Sequence, residues 1–580
     1  SEEIMGKKNT ITGGSVISQV LLEFGIKTTF ALAGASHTYL LDALDNDNFK
    51  VILSRHETAT IAAADGYSRI SGKPGVALIV SDQGIPNAIT GILSAYEACT
   101  PIIILSVRKK TSAIEAQNLL DHDKLELVKP ITKWARTIPS IDRIAEYIIT
   151  GYKIAFSGRQ GPVLIQIPQE FLSEEAGTFQ KTKIKDTLVI AKPSIPNELV
   201  DKFIEMLSSA KKPLIICGTG AYLSKSSEVL SKISKGYDIP VFGNAMGRGL
   251  VTEDHKLGWS WALAQSSAYL ADLVILVGSR LTQRIGYGLP PKFNKDVKFI
   301  QIDVNSEELG RNRTINLSIN SDATNALSSI YTKLSERKFP KKTYDDWVAN
   351  SLKDKLNYIE KIGKSNRIIH PYQIARNLVN LLPDDAIYVG DGADIQNWMH
   401  AYLKIGKNNT FIDHYPLGSM GVGTPLAIGA AAAEAEFSKK HSRKLRKVIL
   451  VTGDGAFGFY SSEFNGASLA NLDLTTIISN DGAWGTEKHG QMIAISKQIN
   501  TEFGEVNYSF IGKAFKCKSE QITEPSMVKS LLKKAIEHKG PVILDIVTDP
   551  DAGLLRKKDS RVQTVQFSDF ENSRALKDKK

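Results

Sequence analysis

Short apolar runs alternate with amphipathic stretches along the whole chain, the pattern of βαβ units wound into parallel sheets. In the first stretch, strands are predicted at 29–33, 50–53, 75–80, 101–106 and 161–167, with helical periodicity between them. A segment rich in Lys, Thr and Pro, 173–196, interrupts the pattern. It resumes with strands at 213–217, 239–242, 273–277 and 298–302, then fades into a lysine-rich linker at 335–366. The last stretch opens at His370-Pro371 and carries strands at 386–389, 447–451, 475–479 and 541–547. The expected architecture is α/β: three doubly wound parallel-sheet domains at 1–185, 190–340 and 366–550, followed by a basic tail at 551–580.

Length agrees with that division, because 580 residues exceed what a single core usually supports. With 42% hydrophobic and 23% charged residues, the chain has the balance of a globular protein rather than a membrane or disordered one. No apolar run is long enough to span a bilayer, and residues 1–10 are polar with no apolar signal core. Cys99, Cys217 and Cys517 lie far apart, as buried thiols do, rather than as a disulfide framework or a zinc site. Together these features predict a cytoplasmic protein with no membrane partner. The net charge of +10 invites a nucleic-acid reading, but the lysines are scattered and no nucleic-acid module is present. The excess reads as solvated surface with a preference for anionic substrates. Arg556, Lys557, Lys558 and Arg561 form one local cluster in the tail.

The chemistry concentrates between Val448 and Trp484. One predicted strand runs into Gly453-Asp454-Gly455-Ala456, and the next ends in Asn480-Asp481-Gly482-Ala483-Trp484. Adjacent parallel strands end side by side, so Asp454 and Asp481 are expected to meet at one sheet edge. Converging oxygen ligands suit Mg²⁺ or Ca²⁺ holding a diphosphate, and small residues let backbone amides approach phosphate oxygens at a helix start. The same residues also occur in plain strand-end turns. Upstream, a strand ends in Arg55-His56-Glu57 ahead of a predicted helix. A carboxylate there is either a helix cap or a working group, since burying it otherwise costs free energy. Gly418-Ser419-Met420-Gly421 marks either tight packing or a loop that presents Met420.

These segments together resemble the thiamine-diphosphate enzyme family. Gly453-Asp454-Gly455 followed by Asn480-Asp481 is similar to that family's cofactor motif, which usually has Asn at the position of Asp481. The resemblance implies thiamine diphosphate and Mg²⁺, with Asp454, Asp481 and the backbone carbonyl of Ala483 as metal ligands. It implies cofactor contacts from Gly453, Gly455, Ala456 and Trp484, and a second backbone approach to the diphosphate at Gly392 and Ala393. His56-Glu57, Ala64-Asp65-Gly66-Tyr67-Ser68-Arg69 and Gly72-Lys73-Pro74-Gly75 resemble the pyrimidine-binding domain, in which the Glu bonds a ring nitrogen of the aminopyrimidine. By that resemblance Glu57 is catalytic, Asn87 lies near the cofactor, and Met420, beside Gly418, sits beneath the thiazolium.

Within the family the likeness spans nearly the whole chain and points to two relatives. Leu417-Gly-Ser-Met-Gly-Val-Gly423 and Ala483-Trp-Gly485 with His489 and Gln491 look like benzaldehyde lyase. Val277-Gly-Ser-Arg280 and Ile302-Asp-Val-Asn-Ser-Glu-Glu307 look like the catalytic subunit of acetolactate synthase. The substrate-loop glutamine of both relatives is out of register at Gln117. His414, Gln396 and His37 are the expected substrate-pocket residues. The implied activity is carboligation of a 2-keto acid such as pyruvate, as in branched-chain amino acid biosynthesis. The alternatives are a lyase of 2-hydroxy ketones or 2-hydroxyacyl-CoA, and a non-catalytic nucleotide-binding protein on the same fold, against which Glu57 speaks. Gly218-Thr-Gly220 and Arg280 are compatible with FAD, but Gly258-Trp-Ser-Trp261 departs from the flavin-contacting segment, so FAD is not favoured. Expected partners are 2-keto acid or aldehyde substrates and further copies of the chain, in a homodimer or homotetramer with active sites at the subunit interface. The tail is expected to act as a basic lid, with apolar contacts from Val562, Val565 and Phe567.

Overall fold

The computed structural model describes residues 11–116, 124–177, 188–364, 367–566 and 571–573. Three six-stranded sheets, parallel throughout, follow one another along the chain. The first holds β1 (Thr28–Ala31), β2 (Lys50–Leu53), β3 (Gly75–Val80), β4 (Ile102–Arg108), β5 (Trp134–Thr137) and β6 (Val163–Pro168) in the order β2-β1-β3-β4-β6-β5. The second holds β7 (Pro213–Cys217), β8 (Val241–Gly243), β9 (Gly258–Ser260), β10 (Leu273–Val277), β11 (Lys298–Asp303) and β12 (Leu317–Asn320) in the order β12-β11-β10-β7-β8-β9. The third holds β13 (Ile387–Gly390), β14 (Thr410–Asp413), β15 (Val448–Gly453), β16 (Leu474–Asn480), β17 (Lys518–Ile522) and β18 (Val542–Val547) in the order β14-β13-β15-β16-β18-β17. The first and third sheets are wound identically; the second is not.

The inner strands β3, β4, β10 and β15 are almost wholly buried, because helices cover both faces of each sheet. Their unbroken apolar runs made them readable in the sequence. β5, β9, β12, β14 and β17 were not predicted, and every one of them is an edge strand. Most of these carry a weak pattern: β17 alternates exposed and half-buried positions, β12 alternates buried and exposed ones, and β9 has three residues, whereas β14 is wholly buried but only four residues long.

Two further segments differ from expectation. The linker at 335–366 contains the helix Trp347–Ile359, whose Trp347, Val348, Leu352 and Ile359 are buried. The segment after β18 is docked: helix Ala552–Lys558 buries Arg556, and Val562 joins a cluster with Tyr372 and Trp398. Arg556 pairs with Asp394, and Arg561 with Asp559. Two of the four basic residues of the cluster, Arg556 and Arg561, are therefore already held by carboxylates, so the described part of the segment is a docked strap. Phe567 and Gln117 lie outside the described residues. Among the described residues no helix is long and apolar enough to cross a membrane.

The first and third domains meet through two helices at equivalent places in the winding, Glu57–Ser71 between β2 and β3 and Gly423–Lys440 between β14 and β15. The first starts at His56, whose ring nitrogen accepts the Thr58 amide, and stops at Gly72 in the left-handed region (φ 63°). Neither helix is markedly amphipathic, because each lies between its own sheet and the other helix. Glycines permit the contact: a Cβ on Gly66 would lie 2.0 Å from Leu426 O, and one on Gly429 would lie 1.8 Å from Ala63 O. Arg69, in a buried pair with Asp65, donates to Asp413 O across the same boundary.

Gly66→Val should therefore destabilise the protein by about 3 kcal/mol or more, since backbone atoms cannot move aside. Gly236, exposed in helix Ser227–Tyr237, would meet nothing within 4 Å. Its replacement by Ala should raise stability by about 0.5–1 kcal/mol. Urea unfolding of the two variants beside wild type checks both signs.

Candidate active site

In each sheet the chain winds one way and then the other, and ligand crevices form at the carboxyl ends of strands where it reverses. The reversal of the third sheet falls between β13 and β15. β13 runs into Gly390-Asp391-Gly392-Ala393, and β15 into Gly453-Asp454-Gly455-Ala456. β15 pairs with β16 in the register Gly453↔Ser479, so Asp454 and the Asn480-Asp481 turn emerge side by side.

A cleft of about 70 Å³ opens at this edge. Gly392, Ala393, Met420, Gly453, Asp454, Gly455, Ala456, Asp481, Ala483 and Trp484 all line it. The predicted cofactor and metal residues of the third domain thus converge, Gly418 excepted. Gly418 (φ 77°) turns the loop ahead of Met420 and packs against the Tyr415 ring. Gly392 (φ 81°) approaches so closely that a Cβ would lie 3.1 Å from the Gly453 amide nitrogen, whereas a Cβ on Gly453 would meet nothing within 4 Å. Gly455 packs under the Trp484 ring, which is held edge-on by Phe503 at 4.9 Å between centroids.

The donor set fits a divalent cation bound to a diphosphate. Asp454 Oδ2 is buried with no hydrogen-bond partner among the described residues, and Thr486 Oγ1, also lining the cleft, is likewise unpartnered. Burial raises the carboxyl pKa of Asp454, and that of Asp481 is raised by burial and then by the neighbouring Asp454 and Asp394. Two carboxylates held side by side with little water favour either a shared proton or a positive partner. Among the described residues no group of three or more His, Cys, Asp or Glu side chains is placed to hold a metal. The cleft therefore offers two carboxylates, with Ala483 also in its lining, a partial set that phosphate oxygens and water could complete for Mg²⁺.

Asp391 was not singled out from the sequence. It is fully buried at the end of β13 and accepts the amides of Gly392 (2.7 Å), Gly421 (3.3 Å) and Gly423 (2.8 Å), which fixes the loop carrying Met420. The visible signal was the repeat of Gly-Asp-Gly-Ala at two strand ends. His414 is buried beside it, with Nδ1 3.7 Å from Asp391 Oδ1, and packs on Tyr415. The reading of Gln396 as a pocket residue is corrected: its amide donates to Asp391 O and Val451 O and accepts from Tyr388, so both ends are spent inside the domain.

Glu57 lies elsewhere, at the carboxyl end of β2 and outside the lining of the Asp454 cleft. It is 7% exposed and accepts a hydrogen bond from Asn87 Nδ2 at 3.1 Å, while Asn87 O accepts from Thr58. Asn87 thus holds Glu57 and, like it, lies outside the lining of the Asp454 cleft. His37 is buried at the end of β1, accepts the Gly34 amide at Nδ1 and has its pKa lowered by burial. Glu463, missed in the sequence, reaches across from the third domain and accepts the Arg55 amide two residues before Glu57. Burial pushes its carboxyl up to about 7.

Residues 11–127, 200–330 and 391–546 match, in turn, the N-terminal TPP binding domain, the central domain and the C-terminal TPP binding domain of thiamine pyrophosphate enzymes. The chain belongs to the thiamine-diphosphate enzyme family. It is 28% identical to a probable acetolactate synthase large subunit of Methanococcus aeolicus, over 94% of this chain and 93% of that one. It is 29% identical to the probable acetolactate synthase large subunit of Methanocaldococcus jannaschii, over 93% of each chain. With 2-hydroxyacyl-CoA lyase 1 of Mus musculus it shares 26% identity over 93% of this chain and 95% of the other. The protein is a thiamine-diphosphate-dependent enzyme that forms or cleaves carbon–carbon bonds.

This member of the family has a second, larger cavity of about 920 Å³ at the reversal of the second sheet, between β7 and β10. Gly218 and Gly220 pack against Gly278 there, and Arg159, Arg280 and Asp303 line the space. Tyr415 and Pro416, from the loop that carries Met420, close one wall. Trp259 and Trp261 are absent from its lining, and Trp261 is buried in the core of the second domain.

Asp454→Ala should weaken binding of Mg²⁺ and thiamine diphosphate together by about a hundredfold or more, beyond what loss of an outer partner costs a metal site. Asp481→Asn keeps an oxygen ligand and removes one of two like charges, so affinity should stay within about tenfold of wild type. Calorimetric titration of both variants is the measurement; normal binding by Asp454→Ala would mean that the metal sits elsewhere.

Proposed function

We propose that this enzyme is a Mg²⁺-dependent carboligase of 2-keto acids, with pyruvate as donor and acyl transfer to a second carbonyl as in acetolactate synthase. The observation that carries this reading is the Asp454–Asp481 cleft, within a chain similar to acetolactate synthase large subunits over nearly its full length. Asp454, Asp481 and the Ala483 carbonyl would hold Mg²⁺, and the backbone at Gly392, Ala393, Gly453 and Gly455 would receive the diphosphate. Met420, fixed through Asp391, would support the thiazolium. Thiamine diphosphate, when bound, supplies the carbon nucleophile that turns a carbonyl carbon into an acyl-anion equivalent. Glu57, held by Asn87, would exchange a proton with a ring nitrogen of the aminopyrimidine. His414 and His37 would sit toward the substrate side, His37 as a neutral ring because burial lowers its pKa.

Glu57 and the Asp454 cleft occupy separate places in one chain, and a small cleft built by the third domain alone cannot enclose a two-ring cofactor. The reading therefore includes a two-fold assembly in which Glu57 of one copy completes the cleft of the other. Exposed Phe459, in ring contact with Trp484 of the cleft lining, and Ile493 and Ile495 on the helix that starts at Gly485, would supply apolar surface for that contact.

A second reading, cleavage of a 2-hydroxyacyl-CoA, is favoured by the 920 Å³ cavity. Its size and its cations, Arg159, Arg280, Lys192 and Lys225, suit the nucleotide part of a CoA thioester, and its Tyr415 wall adjoins the Met420 loop.

Purified protein with Mg²⁺, thiamine diphosphate and pyruvate alone should yield 2-acetolactate. Turnover of a 2-hydroxyacyl-CoA with no reaction of pyruvate would select the second reading. Glu57→Gln should lower turnover by about a thousandfold while cofactor affinity is retained. Mixed with inactive Asp454→Ala chains under subunit exchange, it should recover about a quarter of wild-type activity, because half the random dimers hold one intact site. A fully active monomer in light scattering would refute the shared site.

A further inference from the structure

Besides Asp454 and Asp481 the cleft is lined by Asp394, Glu487 and Asp549, and of these three Asp394 is the one whose charge acts on Asp481. Asp394 begins the helix Asp394–Tyr402. Gly485 separates it from Asp481: a Cβ there would lie 2.3 Å from Asp481 Oδ2 and 3.5 Å from the Asp394 Cβ. Asp394, Asp454 and Asp481 thus lie together at the intended seat of a diphosphate, one carboxylate beyond the two assigned to the metal. In a partly buried site their repulsion of phosphate oxygens is weakly screened.

Asp394 is nonetheless held in place. Its Oδ1 accepts from Arg556 Nη2 at 2.8 Å, and its Oδ2 from Trp398 Nε1 at 3.0 Å. Arg556 comes from the strap, is 5% exposed, and has a buried Nε with no hydrogen-bond partner among the described residues. The strap grips two walls of the cleft. Thr564 and Val565 donate their amides to Asn397 Oδ1, each at 2.8 Å, on the Asp394 helix. Gly553 lies against the His489 ring on the helix Gly485–Ile495, where a Cβ would meet that ring at 2.0 Å. No strap residue lines the cleft itself.

We propose that Arg556 is a positioning residue that neutralises Asp394, so that the cleft accepts Mg²⁺ and a diphosphate only while the strap is docked. The inference rests on the metal–diphosphate reading of the cleft. The two events are linked, so docking favours loading and loading favours docking by the same factor. Trp398 fixes where the Asp394 carboxylate points, and Arg556 removes its charge from the balance seen by the phosphate oxygens.

The test is cofactor binding by the full chain, titrated calorimetrically with thiamine diphosphate in Mg²⁺, for wild type, Arg556→Met, Asp394→Asn and the double variant. Arg556→Met should weaken binding about tenfold, within the usual range of coupling between sites. Asp394→Asn, which leaves the Arg556 cation unopposed, should bind at least as tightly as wild type, and the double variant should recover wild-type affinity, because the charge that needed neutralising is gone. In wild type, Mg²⁺ with thiamine diphosphate should also slow tryptic cleavage at Lys557, Lys558 and Arg561. Rescue in the double variant separates charge neutralisation from a general loss of folding. Unchanged affinity in Arg556→Met, or a double variant as weak as the single one, would overturn the proposal while leaving the cleft intact. A wild type that binds no thiamine diphosphate would remove the metal–diphosphate reading and this inference with it.

Discussion

Asp454, buried, and Asp481, half-buried, are held beside each other at the ends of adjacent parallel strands. Side chains that repel do not settle there for stability, since burying like charges without a cation is among the costlier arrangements a fold can adopt. The surrounding structure keeps them in place. β15 and β16 are pinned in register, glycines at the strand ends bring backbone amides close, and Trp484 closes the side over Gly455. On the proposed reading the cleft is preorganised for a charge that arrives with a ligand, and the packing around it serves to hold that unfavourable geometry.

The same winding occurs twice, in the first and third sheets, and the two copies are specialised. In one, the turn after the second strand leads to Glu57; in the other, the equivalent connection leads through Met420 to Gly423. The helices that follow these turns pack on one another through Gly66 and Gly429. The second sheet differs in strand order and serves as a brace. Arg280 pairs with Glu97, Arg284 with Asp413, and Arg248 bonds Glu253 and the Leu403 carbonyl. Of these residues Glu97, Arg280 and Arg284 line the large cavity, and Arg284 lies over the ring of Tyr415 in its wall.

Much of this was legible in the sequence because its physical cause is local. A strand buried on both faces must be apolar along its length, so the inner strands declared themselves. The turn residues Gly453-Asp454-Gly455 and Asn480-Asp481-Gly482 mark strand ends, and parallel topology then brings them together without further information. The pairing of Asn87 with Glu57, the internal engagement of Gln396 and the reach of Glu463 to Arg55 had no such signature. Each depends on where a neighbouring element lies, and in the last case on a partner 408 residues away.

What the sequence determined by itself was the alternation of elements, the three-domain α/β class and the acidic, glycine-rich strand ends, all set by hydrophobic period and turn chemistry over a few residues. What only the tertiary structure decided was which edge strands complete each sheet, which polar side chains are consumed by internal hydrogen bonds, and that residues 552–565 form a docked strap with Arg556 on Asp394. Edge strands carry half a pattern, and a basic cluster looks the same whether solvated or paired. Its fate is set by the long-range packing that puts a carboxylate opposite it, and no local sequence period encodes that.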